Sequence, residues 1–314
     1  YRAIQDTKAA VRYFYKDALD NGNTYKIDTN RIALVGQGSG GWIALGYATI
    51  KDTTDLQYGK FLDASNNMLV KLDSIGDWNG YGGTFPPLGA GLQYNVENNA
   101  GYSNDVHMVC NIGGGIGELG WLDAGDVPMA AVHCHTDPVA IYTTGDVSVT
   151  TGAGLVPITT DISGSYDVIN KANTLSNNSS ISGISDAYTT AANNASLGVQ
   201  GLTDMFGGTI GGPVENLFPF NTGNAFESAP WEYWDYTTTV NYAALFGEDG
   251  HAIDSTAKLT NPDMSMTKSH AYIDTILGFF CPRIVYALGL PNTIGIQTNS
   301  IEANVSLYPN PAKN

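Results

Sequence analysis

The stretch Arg31-Ile32-Ala33-Leu34-Val35-Gly36-Gln37-Gly38-Ser39-Gly40-Gly41 constrains the fold more than any other part of the chain. Its first five residues form a short apolar run that ends on glycine, the pattern of a strand buried on both faces. A helical pattern from Gly40 to Ile50 follows at once. Extended backbone must therefore become helical within a few residues. Gly36, Gly38 and Gly40 alternate through that bend, and glycine is the residue that takes φ > 0 without strain. A strand, a tight turn and a helix in this order place the chain in the α/β class.

The rest of the sequence keeps that alternation. Residues 3–19 carry apolar side chains at helical spacing, among them Ile4, Val11 and Phe14, with Lys8, Arg12, Lys16 and Asp17 expected outside. Residues 106–112 and 128–134 read as two further buried strands. The first is closed by Gly113-Gly114-Gly115 and the second by His135-Thr136-Asp137-Pro138. Strands alternating with helices predict a mostly parallel sheet flanked by helices, with residues 1–145 as its core. From 146 to 230 Gly, Ser, Thr and Asn dominate, with helical stretches near 166–175 and 184–205, which reads as an insertion or lid. Residues 231–290 return to the core and end in a helix over 267–288, kinked at Pro282. Residues 291–314 form a linker and a tail. The cluster Trp231-Glu232-Tyr233-Trp234-Asp235-Tyr236 admits two uses, a core or lid plug, or a platform for a sugar or acyl group.

Composition narrows the function class. Lys and Arg number 14 against 30 Asp and Glu, a net charge of -16. That field repels phosphate backbones and anionic lipid, which argues against nucleic-acid and membrane-surface roles. Charged residues make up 14% of the chain and 37 residues are glycine, whereas globular chains average roughly 25% charged. A surface of Thr, Ser, Asn and Gly points to the outside of a cell. No apolar run reaches the ~18 residues of a membrane span, and the chain opens within a helical pattern rather than a leader. Cys110, Cys134 and Cys281 each lie in an apolar run and are odd in number, so buried free thiols are expected.

The bend resembles the nucleophile elbow of α/β hydrolases, where serine stands in the middle of Gly-x-Ser-x-Gly at φ > 0. The likeness extends to residues 1–12 and 27–32, similar to the helix and lead-in of carboxylesterase-like and polyester-depolymerase-like members. It extends also to 127–139, similar to a family strand that ends His-Gly-x-x-Asp; Cys134 stands where the family has glycine. The resemblance implies an α/β-hydrolase fold of the carboxylesterase/lipase kind, no cofactor, and Asp137 as the acid of a catalytic triad. The nucleophile has two readings. In the family register Gly36 and Gly40 are the small flanks and Gly38 is the middle residue, so no hydroxyl attacks. A slip of one residue makes Ser39 the nucleophile, but then Gln37 and Gly41 become the flanks, and Gln37 brings a Cβ into crowded space.

The triad base belongs in a loop shortly before the last helix. His251 and His270 are the late candidates, and Gly250-His251 echoes the family loop. If the enzyme is live, serine attacks an ester carbonyl, histidine takes its proton and Asp137 orients the imidazole. His133, His135 and Asp137 would also allow a three-ligand zinc site, yet the resemblance accounts for His133 and Asp137 more simply, and no metal is expected.

Two features concern the ends. The segment 299–312, with Tyr308-Pro309-Asn310-Pro311, resembles the opening of the type IX secretion sorting domain, which implies export to the cell surface by that machinery. In the resembled fold several strands precede the elbow strand. An upstream segment or a second chain is therefore expected to complete the sheet beside residues 31–35, and self-assembly is a further possibility. The reading that results is a secreted cell-surface protein of hydrolase fold, catalytically degenerate at Gly38, with a binding or assembly role. The alternative is an active secreted carboxylic-ester hydrolase using Ser39, Asp137 and a late histidine.

Overall fold

A computed structural model describes residues 1–83, 97–151 and 154–291. Most of the tail discussed above, from residue 292 onward, lies outside the described residues. The chain opens with α1 (Arg2–Asp20), whose stripe of Ile4, Val11 and Tyr15 is buried. Lys8, Arg12 and Asp17, expected outside, are buried as well. Lys8 donates to the carbonyl of Ile50, and Arg12 donates to that of Asn98 with its guanidinium over the Tyr81 ring. Long cationic side chains reach partners across the helix face, so a pattern based on polarity alone misplaces them.

Next come β1 (Ala33–Gln37), α2 (Ser39–Thr49), the short α3 (Leu72–Ile75), β2 (Met108–Ile112), β3 (Gly115–Ile116) and β4 (Met129–Cys134). Then follow β5 (Thr144–Thr151), β6 (Gly154–Gly164), α4 (Ser165–Thr174), α5 (Ala187–Val199) and β7 (Leu217–Phe220). The chain closes with α6 (Tyr236–Ala244), α7 (Gly250–Ala257) and α8 (Met266–Ala287), which runs through Pro282 as one helix.

The main sheet has the order β1-β2-β4-β7, and every pairing in it is parallel. This is the fold class expected from the alternation of strands and helices: a mixed α/β domain of α/β-hydrolase type with helices on both faces. One apolar cluster joins α1, α2 and α4 on one face, through Ile4, Leu45 and Val168. A second joins Met108, Cys110 and Val132 to Phe279 and Phe280 of α8 on the other.

Residues 146–230, expected as an insertion or lid, divide instead. Only the hairpin β5–β6 stands apart, as a small antiparallel sheet with β3. Helix α4 packs on β4, α5 packs along β7, and β7 is the fourth strand of the main sheet. The polar composition of this stretch hid four buried residues, Leu217 to Phe220. Pro219 is tolerated there because β7 bonds β4 through Asn216 and Phe220, which turns position 219 outward where a missing N–H costs nothing. The two edges of the sheet differ. Helix α5 covers β7, whereas Val35 at the centre of β1 is 52% exposed.

Candidate active site

The bend after β1 has Gly38 at its apex, with φ 53° and ψ -118°. Its N–H donates to the Ile112 carbonyl at 2.7 Å, and its carbonyl accepts from Gly41 and Trp42 as α2 begins. Gly36 and the start of α2 close on each other so tightly that a Cβ on Gly36 would overlap the Gly40 carbonyl. No such contact exists at Gly38, where a Cβ would meet nothing within 4 Å. The crowded flank at Gly36 and the left-handed apex therefore belong to one register, centred on Gly38. Ser39 is the first residue of α2 and is exposed. A Cβ on Gly41 would collide with Asn111, so Gly41 serves the packing of α2 on β2.

Gln37, Gly38 and Ser39 border a cavity of about 220 Å³ with Asp137, Ser228 and Glu232. Trp42 and Trp231 add aromatic surface. The cavity lies at the carboxyl ends of parallel strands, where open α/β sheets bind their ligands. It continues past Gln37, Trp231 and Glu232 into a groove of about 610 Å³ along Tyr233, Trp234 and the α8 residues Ile273 and Leu277. Gln37 Nε2 donates to Glu232 Oε1 at 3.0 Å, linking the two walls. Both residues escaped attention as a pair because 195 positions separate them; no local pattern carries such a contact. The rim at 229–232 is held by Asn261, which donates to the carbonyls of Ala229 and Glu232, and by Ser269, which donates to that of Trp231. Lys268 joins the buried Glu227 to Asp263 and secures the same segment.

Asp137 follows β4 and is buried. Its Oδ1 accepts from the N–H groups of Val139 and Ala140 at 2.7 and 2.9 Å. Its Oδ2 lies 3.5 Å from Nε2 of His133. His133 is fully buried within β4, and both ring nitrogens are engaged. Nε2 faces only acceptors, the Ala140 carbonyl at 3.2 Å and the carboxylate, so it carries the proton. Nδ1 meets the Ser165 hydroxyl at 2.7 Å, and that hydroxyl also reaches the Gly114 carbonyl at 3.0 Å. Ser165 in turn accepts from Asn111 Nδ2 at 2.9 Å, so a polar chain runs beneath the bend from Asn111 to Asp137.

Among the described residues no histidine lines the cavity. His251, proposed as base from the sequence, sits not in a loop but in the first turn of α7, capped by Asp249. It hydrogen-bonds the Tyr236 hydroxyl and is exposed. The turn chemistry of Asp249-Gly250 starts a helix here rather than a catalytic loop. His270 is exposed on α8, and His135 meets the Phe220 carbonyl at 3.2 Å. Among the described residues no group of three His, Cys, Asp or Glu side chains is placed to hold a metal ion. No helix among them is long and apolar enough to cross a membrane.

Residues 2–144 match the model of the BD-FAE family, a family of α/β-hydrolase-like esterase domains. That span carries β1, the glycine bend and Asp137. No curated protein and no solved structure matches the chain.

Proposed function

We propose that this protein keeps the hydrolase scaffold as a binding device and does not hydrolyse esters through its elbow. The observation that carries this reading is the apex. Gly38 holds the left-handed backbone of a nucleophile with no side chain on it, and among the described residues no imidazole lines the cavity above it. What remains is a cleft of tryptophans with an amide and two carboxylates, Gln37, Asp137 and Glu232. Aromatic rings flanked by hydrogen-bonding groups suit a neutral, hydroxyl-bearing or acyl ligand, and the excess of acidic side chains disfavours an anionic one. A secreted, cell-surface setting with type IX export belongs to the same proposal. It is supported by the charge-poor composition and by Tyr308-Pro309-Asn310-Pro311.

The second reading is an active carboxylic-ester hydrolase with Ser39 as nucleophile, favoured by the match to esterase domains and by Ser39 lining the same cavity. Asp137 would be its acid and His251 its base, and the latter would have to leave α7 to reach the cleft.

Hydrolysis of a short-chain chromogenic ester separates the two. The binding reading expects no turnover above buffer, and the same from Gly38→Ser. That hydroxyl has room but no base to activate it, and the side chain at φ 53° costs about 1–2 kcal/mol of stability. Turnover by the unaltered protein that Ser39→Ala abolishes would establish the enzyme instead.

A further inference from the structure

Close-packed interiors leave few gaps that a molecule larger than water can enter. The first apolar cluster of this protein has one, a cavity of about 270 Å³ between α1, α2, β3 and the segment 54–70. Ile4 of α1, with Ile43 and Ile50 from α2 and its end, lines it together with Leu56, Phe61 and Ile116. Ile4, Ile50, Leu56 and Ile116 are each buried. Among the described residues no charged side chain lines it. This space is separate from the cleft, and neither reading of the bend uses it.

The walls hold this space open. The Phe61 and Trp121 rings stack with centroids 5.3 Å apart and planes 22° apart, and the Trp121 N–H donates to the Asp55 carbonyl. Neither ring can swing inward without giving up the stack or that hydrogen bond. Trp42 forms a further wall. A Cβ on Gly115 would come within 3.0 Å of the Trp42 ring, so the indole rests against β3. Trp42 lines the cleft as well, and one side chain thus borders both spaces.

We propose that this cavity is a binding site for an uncharged apolar molecule of about ten heavy atoms, ring or chain, packed against Trp42, Phe61 and Trp121. The size follows from the volume. An apolar cavity of about 150 Å³ in a protein core stays dry and takes up benzene, and this one is nearly twice as large. No lining side chain compensates a charge, so a carboxylate or an ammonium would lose its hydration for nothing. Water is held poorly for a similar reason, since it needs about two to four polar partners. A molecule seated here packs against an indole that also borders the cleft, and so limits how far that wall can yield. This second site stands apart from the bend, whether the bend binds or hydrolyses.

The five indole N–H groups of the chain, isotope-labelled, read binding by NMR. Naphthalene and octanol are the probes, a ring and a chain. At least one should shift Trp42 and Trp121 saturably, with a dissociation constant below about 1 mM, while Trp231 and Trp234 stay fixed. The tighter probe identifies the occupant as ring or chain. Octanoate should bind at least ~10-fold more weakly than octanol. Val70→Trp adds an indole to the lining and should weaken binding at least ~10-fold, with Trp231 and Trp234 unmoved as the sign of an intact fold. Val70→Ala should still bind. Trp121 unmoved by both probes overturns the proposal, as does unchanged binding by Val70→Trp or equal affinity for octanoate and octanol. A probe that moves Trp231 but not Trp121 has entered the cleft instead, which speaks for a ligand there and against this site.

Discussion

His133 Nε2 lies 3.5 Å from Asp137 Oδ2, and the imidazole that meets this carboxylate rises from the same strand rather than from across the cavity. The carboxylate of Asp137 is therefore part of a buried polar chain. Its nearer partners are the N–H groups of its own turn.

Replacing Asp137 tests whether the turn depends on an acceptor or on a charge. Asp137→Ala should cost about 1–3 kcal/mol in urea unfolding, since the amides of Val139 and Ala140 lose their acceptor, the second of them in a buried site. Asp137→Asn keeps an oxygen there and should cost under ~1 kcal/mol. Equal losses would show that charge holds the turn.

The bend offers a contrast between two glycines four residues apart. Gly36→Ala sets a methyl against backbone atoms of Gly40 and Gly41 that cannot rotate away, and should cost about 3 kcal/mol or more. Gly40→Ala meets nothing within 4 Å and lies in the first turn of α2, so it should be neutral or stabilise by up to ~1 kcal/mol. Thermal unfolding of both variants checks the pair.

Lys8 makes stability depend on pH. Burial pulls its ammonium down from 10.5 to about 8, against the opposing pull of Asp77. Between those values the unfolded chain holds a proton that the folded chain has released, so stability rises with pH through that window. At roughly 1.4 kcal/mol per pH unit the full gain is about 3 kcal/mol. Above pH 10 the buried Tyr47 and Tyr142, both pushed up by burial, act in the opposite sense. The buried thiols of Cys110 and Cys134, raised from 9.0, oppose the gain from about pH 9 in both proteins, so the urea midpoint of the unaltered protein should gain on that of Lys8→Met between pH 8 and 10. Parallel curves would remove Lys8 as the cause.

The three cysteines should separate by access. Cys110 and Cys134 are fully buried, with thiols pushed up by desolvation, that of Cys110 to about 12. Cys281, expected buried from its apolar surroundings, is exposed on α8. A chromogenic disulfide reagent should titrate one thiol in the native protein, three in denaturant, and none in native Cys281→Ser.

Some of this architecture was legible before any coordinates. The run from Arg31 to Ile50 declares strand, bend and helix because each state has its own residue pattern, and Asp137 follows a strand apolar but for His133. β7 was not legible, since four residues including Pro219 in a polar stretch carry no periodicity. His251 was misplaced because one capping aspartate decides between loop and helix. The Gln37–Glu232 contact and the rim anchored by Asn261 depend on the fold as a whole, and no window along the chain contains them.

All six residues of β4 are buried between β2 and β7, and Asp137 hangs from its end. The base of the cleft thus opens only when the entire domain does, while its upper margin at 228–232 hangs on a handful of side-chain ties. On warming, recognition should fail first and melting should come later.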